Sequence, residues 1–468
     1  MKFKNPFYQI DRGSFLYETT IAFSGYFFSF AIQLVLTPVI ARLYTPEAYG
    51  TFATLNALVM NLSLVLTLGY IDAFQLPKSE KDFFSLIKLS LLLVFTLSAT
   101  IAILIFLFFS QINQWVDLKQ QTYLLHVIGP SVLLLGLFQI VGSWNIRNKL
   151  NIKNTRSSVL GTLLSRGITI GYGYVYGGNF SGLLIGDISL KVANLFLAFN
   201  RQVLKRIKEV MDVPFSEVLR IVKVFKDYPK YVFPGNYVGL VSSQIPLFWF
   251  ASISSTITGY FSFASSMLEI PMRLLGYSVG NIFAQKSAEA FNQSESYFKE
   301  ISLKLLHKLL LFGIPTFTML AVFGDLIFDF VFGSNWRAAG LFAGIMALYY
   351  ILLLCTTTLN SVFFVLGKGS LYFFIQLGIL IARVLVFLAG HLLGWSTGVL
   401  FATYCLVNTV IYGLILAIIF ILLKVNVEKK MFQIIFFSAA LLCLWGSIRY
   451  LIFSDFFLFV WKEILKTV

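Results

Sequence analysis

Eight ionisable side chains, Asp72, Lys88, Arg166, Asp187, Lys191, Glu269, Arg273 and Arg383, stand inside stretches that are otherwise almost wholly apolar. At the middle of a membrane-spanning helix such a residue costs about 2.5–3.5 kcal/mol, so it faces a partner or a polar cavity and not lipid. Asp187 and Lys191 are four residues apart, as are Glu269 and Arg273, and helical geometry puts each pair on one face. Each pair therefore either neutralises itself or offers its charges to a ligand. Asp72 and Lys88 lie near the ends of their apolar stretches, within reach of the interface. Arg166 and Arg383 have no opposite charge at helical spacing and are assigned to a polar interior. Even with both pairs neutral, these two leave that interior positive. A guanidinium fork matches the oxygens of a phosphate group. The chemistry read here is capture of an anion within the membrane.

The elements that position these residues are long apolar segments. A hydrocarbon core of roughly 30 Å needs about 20 apolar residues in a helix, and in lipid only a helix satisfies its own backbone. Spans are expected near 21–42, 48–73, 84–109, 122–145, 157–176 and 181–199. Further spans are expected near 231–252, 257–284, 306–331, 338–366, 370–390, 395–423 and 432–450, with a short final segment at 452–462. The expected fold is an all-α polytopic membrane protein of two six-helix transmembrane bundles, plus one or two extra C-terminal helices. The bundles fall at 1–200 and 231–424, joined by a connector at 201–230 and followed by the extra helices at 425–468. Pro38, Gly50-Thr51-Phe52 and Gly69-Tyr70 are echoed by Pro246, Gly259-Tyr260-Phe261 and Gly276-Tyr277. Since each bundle holds an even number of spans, the echo describes a parallel pseudo-repeat.

The basic loops alternate. Of the loop lysines and arginines only Arg42, Lys119, Arg337 and Arg449 fall on one side; Lys2, Lys4, Arg12, Lys78, Lys81 and the connector fall on the other. Basic loops stay in the cytoplasm, which places the N-terminus and the connector there. The net charge of +15 is then a product of topology, not a nucleic-acid surface. Only 12% of the chain is charged, about half the share of a soluble domain. Residues 1–20 carry Lys2, Lys4, Asp11, Arg12 and Glu18 without a cleavage pattern, and read as a lead-in to the first span.

Nothing in the sequence points to a cofactor or metal. Cys355, Cys405 and Cys443 lie in apolar segments at no ligand spacing, and His126, His307 and His391 are scattered. Gly367-Lys368-Gly369-Ser370 lacks the earlier glycine and the strand of a phosphate loop and reads as a turn. Pro38, Pro130, Pro234, Pro246, Pro271 and Pro315 interrupt apolar segments, as kinked transport helices do.

Residues 36–50, Leu-Thr-Pro-Val-Ile-Ala-Arg-Leu-Tyr-Thr-Pro-Glu-Ala-Tyr-Gly, resemble the first-hairpin signature of O-antigen (Wzx-type) polysaccharide flippases. These belong to the multidrug/oligosaccharidyl-lipid/polysaccharide exporter superfamily. Gly259-Tyr260-Phe261 and Leu268-Glu269-Ile270-Pro271-Met272-Arg273, with the glycines through Gly280, resemble the superfamily's segment around the eighth span. The resemblance implies two bundles around a V-shaped cavity of alternating access. It implies transfer of oligosaccharide on undecaprenyl diphosphate from the cytoplasmic to the periplasmic leaflet of a bacterial inner membrane, without covalent chemistry. Polymerase and chain-length proteins are the partners it implies. On this reading Arg166, Arg273, Arg383, Lys191 and Arg42 are the substrate-binding cations. Glu269, Asp72 and Asp187 are the coupling groups or charge partners.

Two alternatives share the same superfamily, a cation-coupled multidrug exporter and a peptidoglycan-precursor flippase. The first calls for unpaired buried carboxylates, and among the eight candidates Asp72 is the one acid without a basic residue four positions away. A polymerase or glycosyltransferase calls for a large periplasmic or carboxylate-rich loop, whereas the connector is basic. Reporter fusions should read cytoplasmic within 201–230 and external near Lys119; the reverse pattern would overturn the orientation.

Overall fold

The computed structural model describes residues 15–111, 125–199, 201–273 and 278–453. The terminal basic residues Lys2, Lys4, Arg12, Lys462 and Lys466, the loop residue Lys119, the Gly276-Tyr277 echo and the segment beyond Phe453 lie outside the described residues. The first six long helices are α1 (Phe15–Leu43), α2 (Pro46–Val65), α3 (Glu80–Leu107), α4 (Leu125–Arg147), α5 (Asn151–Tyr176) and α6 (Phe180–Ala198). Two short helices follow, α7 (Arg201–Met211) and α8 (Phe215–Val224). The chain continues through α9 (Phe233–Ile253), α10 (Ser255–Pro271), α11 (Ser278–Gln293), α12 (Glu295–Phe332), α13 (Arg337–Thr358) and α14 (Ser361–Val365). It ends with α15 (Gly369–Leu392), α16 (Thr397–Leu422) and α17 (Val427–Phe453).

Local sequence sets several of these starts. Thr45 caps α2 by accepting from the Ala48 amide at 3.2 Å, with Pro46 in the first position, where its missing N–H costs nothing. Ser79 caps α3 through the Asp82 amide at 3.1 Å, and Ser294 caps α12 through Tyr297 at 3.1 Å. Within the segment expected as one span at 257–284, α10 runs to Pro271 and α11 starts at Ser278, with residues 274–277 outside the described residues.

Among the described residues, nine helical segments are long and apolar enough to cross a membrane. The chain is a multi-pass helical membrane protein. Helices α5 and α9 are not among the nine, because they carry Ser157, Thr162, Ser165, Arg166 and Thr169, and Asn236, Ser242 and Gln244. Side chains such as Phe106, Phe330 and Leu392 point outward, where lipid replaces water.

The chain divides into two compact units, Met1–Leu240 and Val241–Val468. In the first, α5 packs against α1 and α6, and α4 against α2, α3 and α6. The Tyr44 hydroxyl donates to the Thr169 carbonyl at 2.7 Å, crossing from the end of α1 to α5. In the second, α13 is buried along most of its length and packs against α10, α12 and α16. Gly324 and Gly340 let α12 and α13 meet backbone to backbone, and a Cβ on Gly344 would lie 3.1 Å from the Ala321 carbonyl. Small residues bring membrane helices this close. Phe263 stacks on Trp336 at 4.1 Å beneath them.

The connector is a helical hairpin fastened to the first unit. Val210, Val213, Val218 and Ile221 are buried in that unit's core. Lys88, placed by the sequence near the interface, donates from Nζ to the Met211 and Val213 carbonyls at 2.6 Å each, closing the end of α7. Arg206 pairs with Glu80 and Glu209 and lies 4.5 Å over the Phe84 ring. Arg220 pairs with Asp82 and with Glu217 at 2.6 Å, and Lys81 reaches Glu217 at 2.8 Å.

Hydrogen bonds from Lys81 and Arg220 hold the Glu217 carboxyl below the ordinary range. The Glu80 bond raises Arg206, and Asp82 raises Arg220. A lowered carboxyl contributes its attachment above the ordinary glutamate pKa of about 4.3 and loses it as pH falls through the lowered value. Hydrogen-exchange protection of residues 201–224, corrected for intrinsic rates, should therefore hold from pH 8 to about pH 5 and drop below about pH 4. High salt should weaken it at every pH, since the pairs are exposed.

Candidate functional site

In the first unit the charges sit on α5 and α6. Ser165 donates to the Gly186 carbonyl at 2.7 Å and fixes the register of the two helices. One residue along, Arg166 is half-buried, and no hydrogen bond to its guanidinium forms among the described residues. Its electrostatic neighbours are Asp187 and the Tyr49 phenol. Asp187 is already engaged by Lys191 in an ion pair one helical turn long, with the Lys191 side chain 5% exposed. Two cations thus share one carboxylate. The group is net positive, and the guanidinium with open donors is Arg166.

In the second unit Arg383 of α15 is buried and fully occupied. Its Nε donates to Asn408 Oδ1 at 3.2 Å, and Nη2 donates to the same oxygen at 2.9 Å and to the Tyr412 hydroxyl at 3.0 Å. Nη1 donates to the Ser242 carbonyl at 2.9 Å and to its hydroxyl at 3.2 Å. All five N–H donors are consumed by neutral oxygens from α9 and α16. The charge stays uncompensated while the hydrogen-bonding capacity is spent, so the residue ties three helices together.

Glu269 and Arg273 form their pair at 2.9 Å, with the side chains 46% and 57% exposed. It is neutral and open to exchange. Arg42 is exposed in the last turn of α1, and Asp72 is exposed in a 3-10 turn (Tyr70–Ala73) after α2, outside the long helices. The structure therefore gathers Arg166, Asp187 and Lys191 in one place, and sets Glu269–Arg273 and Arg383 in separate places of the second unit.

One buried cluster has no counterpart among the sequence candidates. Arg449 grips Asp325 with both nitrogens, at 2.7 and 2.9 Å, and Arg337 adds a contact at 3.5 Å. Asp325 and Arg449 are both buried. The sequence places Arg449 in an outer loop; the structure places it inside α17, where it locks α17 to α12. Asp325 is the signal that was available, a lone acid in an apolar segment, but its partners lie 12 and 124 residues away. Ser242, Asn408 and Tyr412 carry no charge and gave no signal.

The sequence profile described as polysaccharide biosynthesis protein matches residues 39–340. No curated protein sequence matches the chain. Among solved structures, the lipid II flippase MurJ in an inward closed conformation aligns with a TM-score of 0.65 and 14% identity, over 92% of this chain and 99% of that one. A multidrug resistance MATE transporter of the MOP superfamily aligns in its inward-facing form with a TM-score of 0.62 and 13% identity, over 88% and 95%. Its outward-facing counterpart aligns at 0.52 with 13% identity, over 89% and 94%. At these identities the likeness is one of fold alone.

Side-chain roles separate by stability. Arg383→Ala strands several buried acceptors and should cost about 2 kcal/mol or more. Arg449→Ala leaves the buried Asp325 with the longer Arg337 contact and should cost about 3 kcal/mol. Arg166→Ala breaks no hydrogen bond and should leave the thermal midpoint of the purified protein within about 1 °C of the parent value, given a surface-like change below 0.5 kcal/mol.

Proposed function

Because the chain belongs to the polysaccharide biosynthesis protein family, we propose that it is a flippase for undecaprenyl-diphosphate-linked oligosaccharide. On this reading it turns an O-antigen, capsule or exopolysaccharide repeat unit from the cytoplasmic to the periplasmic leaflet of a bacterial inner membrane by alternating access. The observation that supports this most directly is Arg166, a guanidinium with open donors inside an apolar helix unit, beside a carboxylate that Lys191 already holds. A diphosphate supplies the oxygens those donors lack. No bond is made or broken, so the protein acts by binding energy alone.

Arg273 is the second cation suited to phosphate. Its pair with Glu269 is exposed, so a diphosphate competes for it at modest cost. Release of Arg273 frees the Glu269 carboxylate, which makes Glu269 the first candidate for coupling to a proton. Lys191 and Arg383 add positive potential without open donors, and Arg42 and Asp72 act at the ends of their segments. Polymerase and chain-length proteins are the proposed partners on the periplasmic side.

Export of organic cations fits less well. Asp187, Glu269 and Asp325 each sit in an ion pair, and Asp72 lies exposed in a turn. Cells lacking the protein should accumulate undecaprenyl-linked oligosaccharide in the cytoplasmic leaflet and lose surface polysaccharide. Arg166→Ala should reproduce that loss with the protein still in the membrane, and Arg166→Lys should retain part of the activity. Normal lipid intermediates with raised sensitivity to cationic drugs would move the assignment to multidrug export.

A further inference from the structure

A groove of about 220 Å³ runs along the second unit between α12 and α17. Two clamps frame it. At one end Arg449 holds Asp325 and the Val322 carbonyl. At the other, Lys299 donates to the Lys424 carbonyl at 2.7 Å and Lys424 pairs with Glu295 at 2.6 Å. Between the clamps the groove runs past Pro315, which lies within the continuous α12. The walls are apolar, with Leu306 and Leu310 facing Ile434 and Phe437. His307 and Lys430 stand on the rim nearest the Lys424 clamp, and neither side chain has a hydrogen-bond or ion-pair partner among the described residues.

The dimensions select the occupant. The lining runs on α17 from Lys430 to Leu441, about 17 Å at 1.5 Å per residue, close to one leaflet of a roughly 30 Å core. Beyond it the Arg449–Asp325 lock closes the path, so a long polyprenyl chain meets a wall where a phospholipid acyl chain simply ends. The basic rim lies on the side that the loop charges assign to the cytoplasm, where anionic lipids concentrate. We propose that this groove holds one acyl chain of an anionic phospholipid of the cytoplasmic leaflet, with Lys430 and His307 at its phosphate. The bound lipid fills the gap between the clamps and couples α17 to α12. The site is independent of the flippase reading and stands or falls without it.

Native mass spectrometry of the detergent-purified full chain, titrated with phosphatidylglycerol, phosphatidylcholine or undecaprenyl phosphate, tests the proposal. Phosphatidylglycerol should be retained in preference to phosphatidylcholine, and any retention of undecaprenyl phosphate should be unchanged in Leu310→Trp. Lys430→Gln should weaken that preference about fivefold, as removal of one surface cation implies, with an unchanged thermal midpoint. Leu310→Trp should fill the groove and reduce retention of both phospholipids. Equal retention of the two phospholipids, loss of undecaprenyl phosphate retention in Leu310→Trp, or an unaltered preference in Lys430→Gln would each overturn it.

Discussion

A charge surrounded by hydrocarbon must be answered from within the protein, and this requirement governs where the helices go. Arg449 is answered by a carboxylate gripped with two nitrogens, Lys191 by an acid one turn away, and Arg383 by a cage of neutral oxygens. Each answer fixes a different set of helices: α17 on α12, α6 on itself, and α9, α15 and α16 together. Desolvating such ions costs several kcal/mol each, so the pairings contribute specificity of arrangement more than net stability. Arg166 is the exception, and a cation left open inside an otherwise satisfied unit is a place for something that arrives from outside.

The packing serves the same end. Ser242 of the less apolar α9 receives Arg383 together with Asn408 of α16, one of the most apolar helices, so a polar side chain within an apolar helix also answers a charge. Close backbone approach at Gly324 and Gly340 brings Asp325 to the depth at which Arg449 and Arg337 meet it.

What was legible in the sequence was what is local. The apolar segments and the i,i+4 pairs Asp187–Lys191 and Glu269–Arg273 follow from spacing along one helix, and the all-helical membrane fold stands as expected. The connector was read as a basic interval; its helices escaped notice because their apolar residues are spaced for one narrow face against α3. The Arg449–Asp325 lock joins residues 124 positions apart, and no single-sequence pattern reports such a distance. Arg383 was recognised as interior, but its partners are uncharged, and charge was the only label by which partners were sought.

The five-donor cage of Arg383 has a bearing on how genetic data from such proteins are understood. On the proposed function, a loss-of-function screen would flag Arg383 as readily as Arg166, since both are lone arginines in apolar segments. Lysine, with three donors in a different geometry, would fail at Arg383 for reasons of architecture alone. The phenotype would look like substrate recognition and would in truth be carpentry, the loss of the peg that joins three beams.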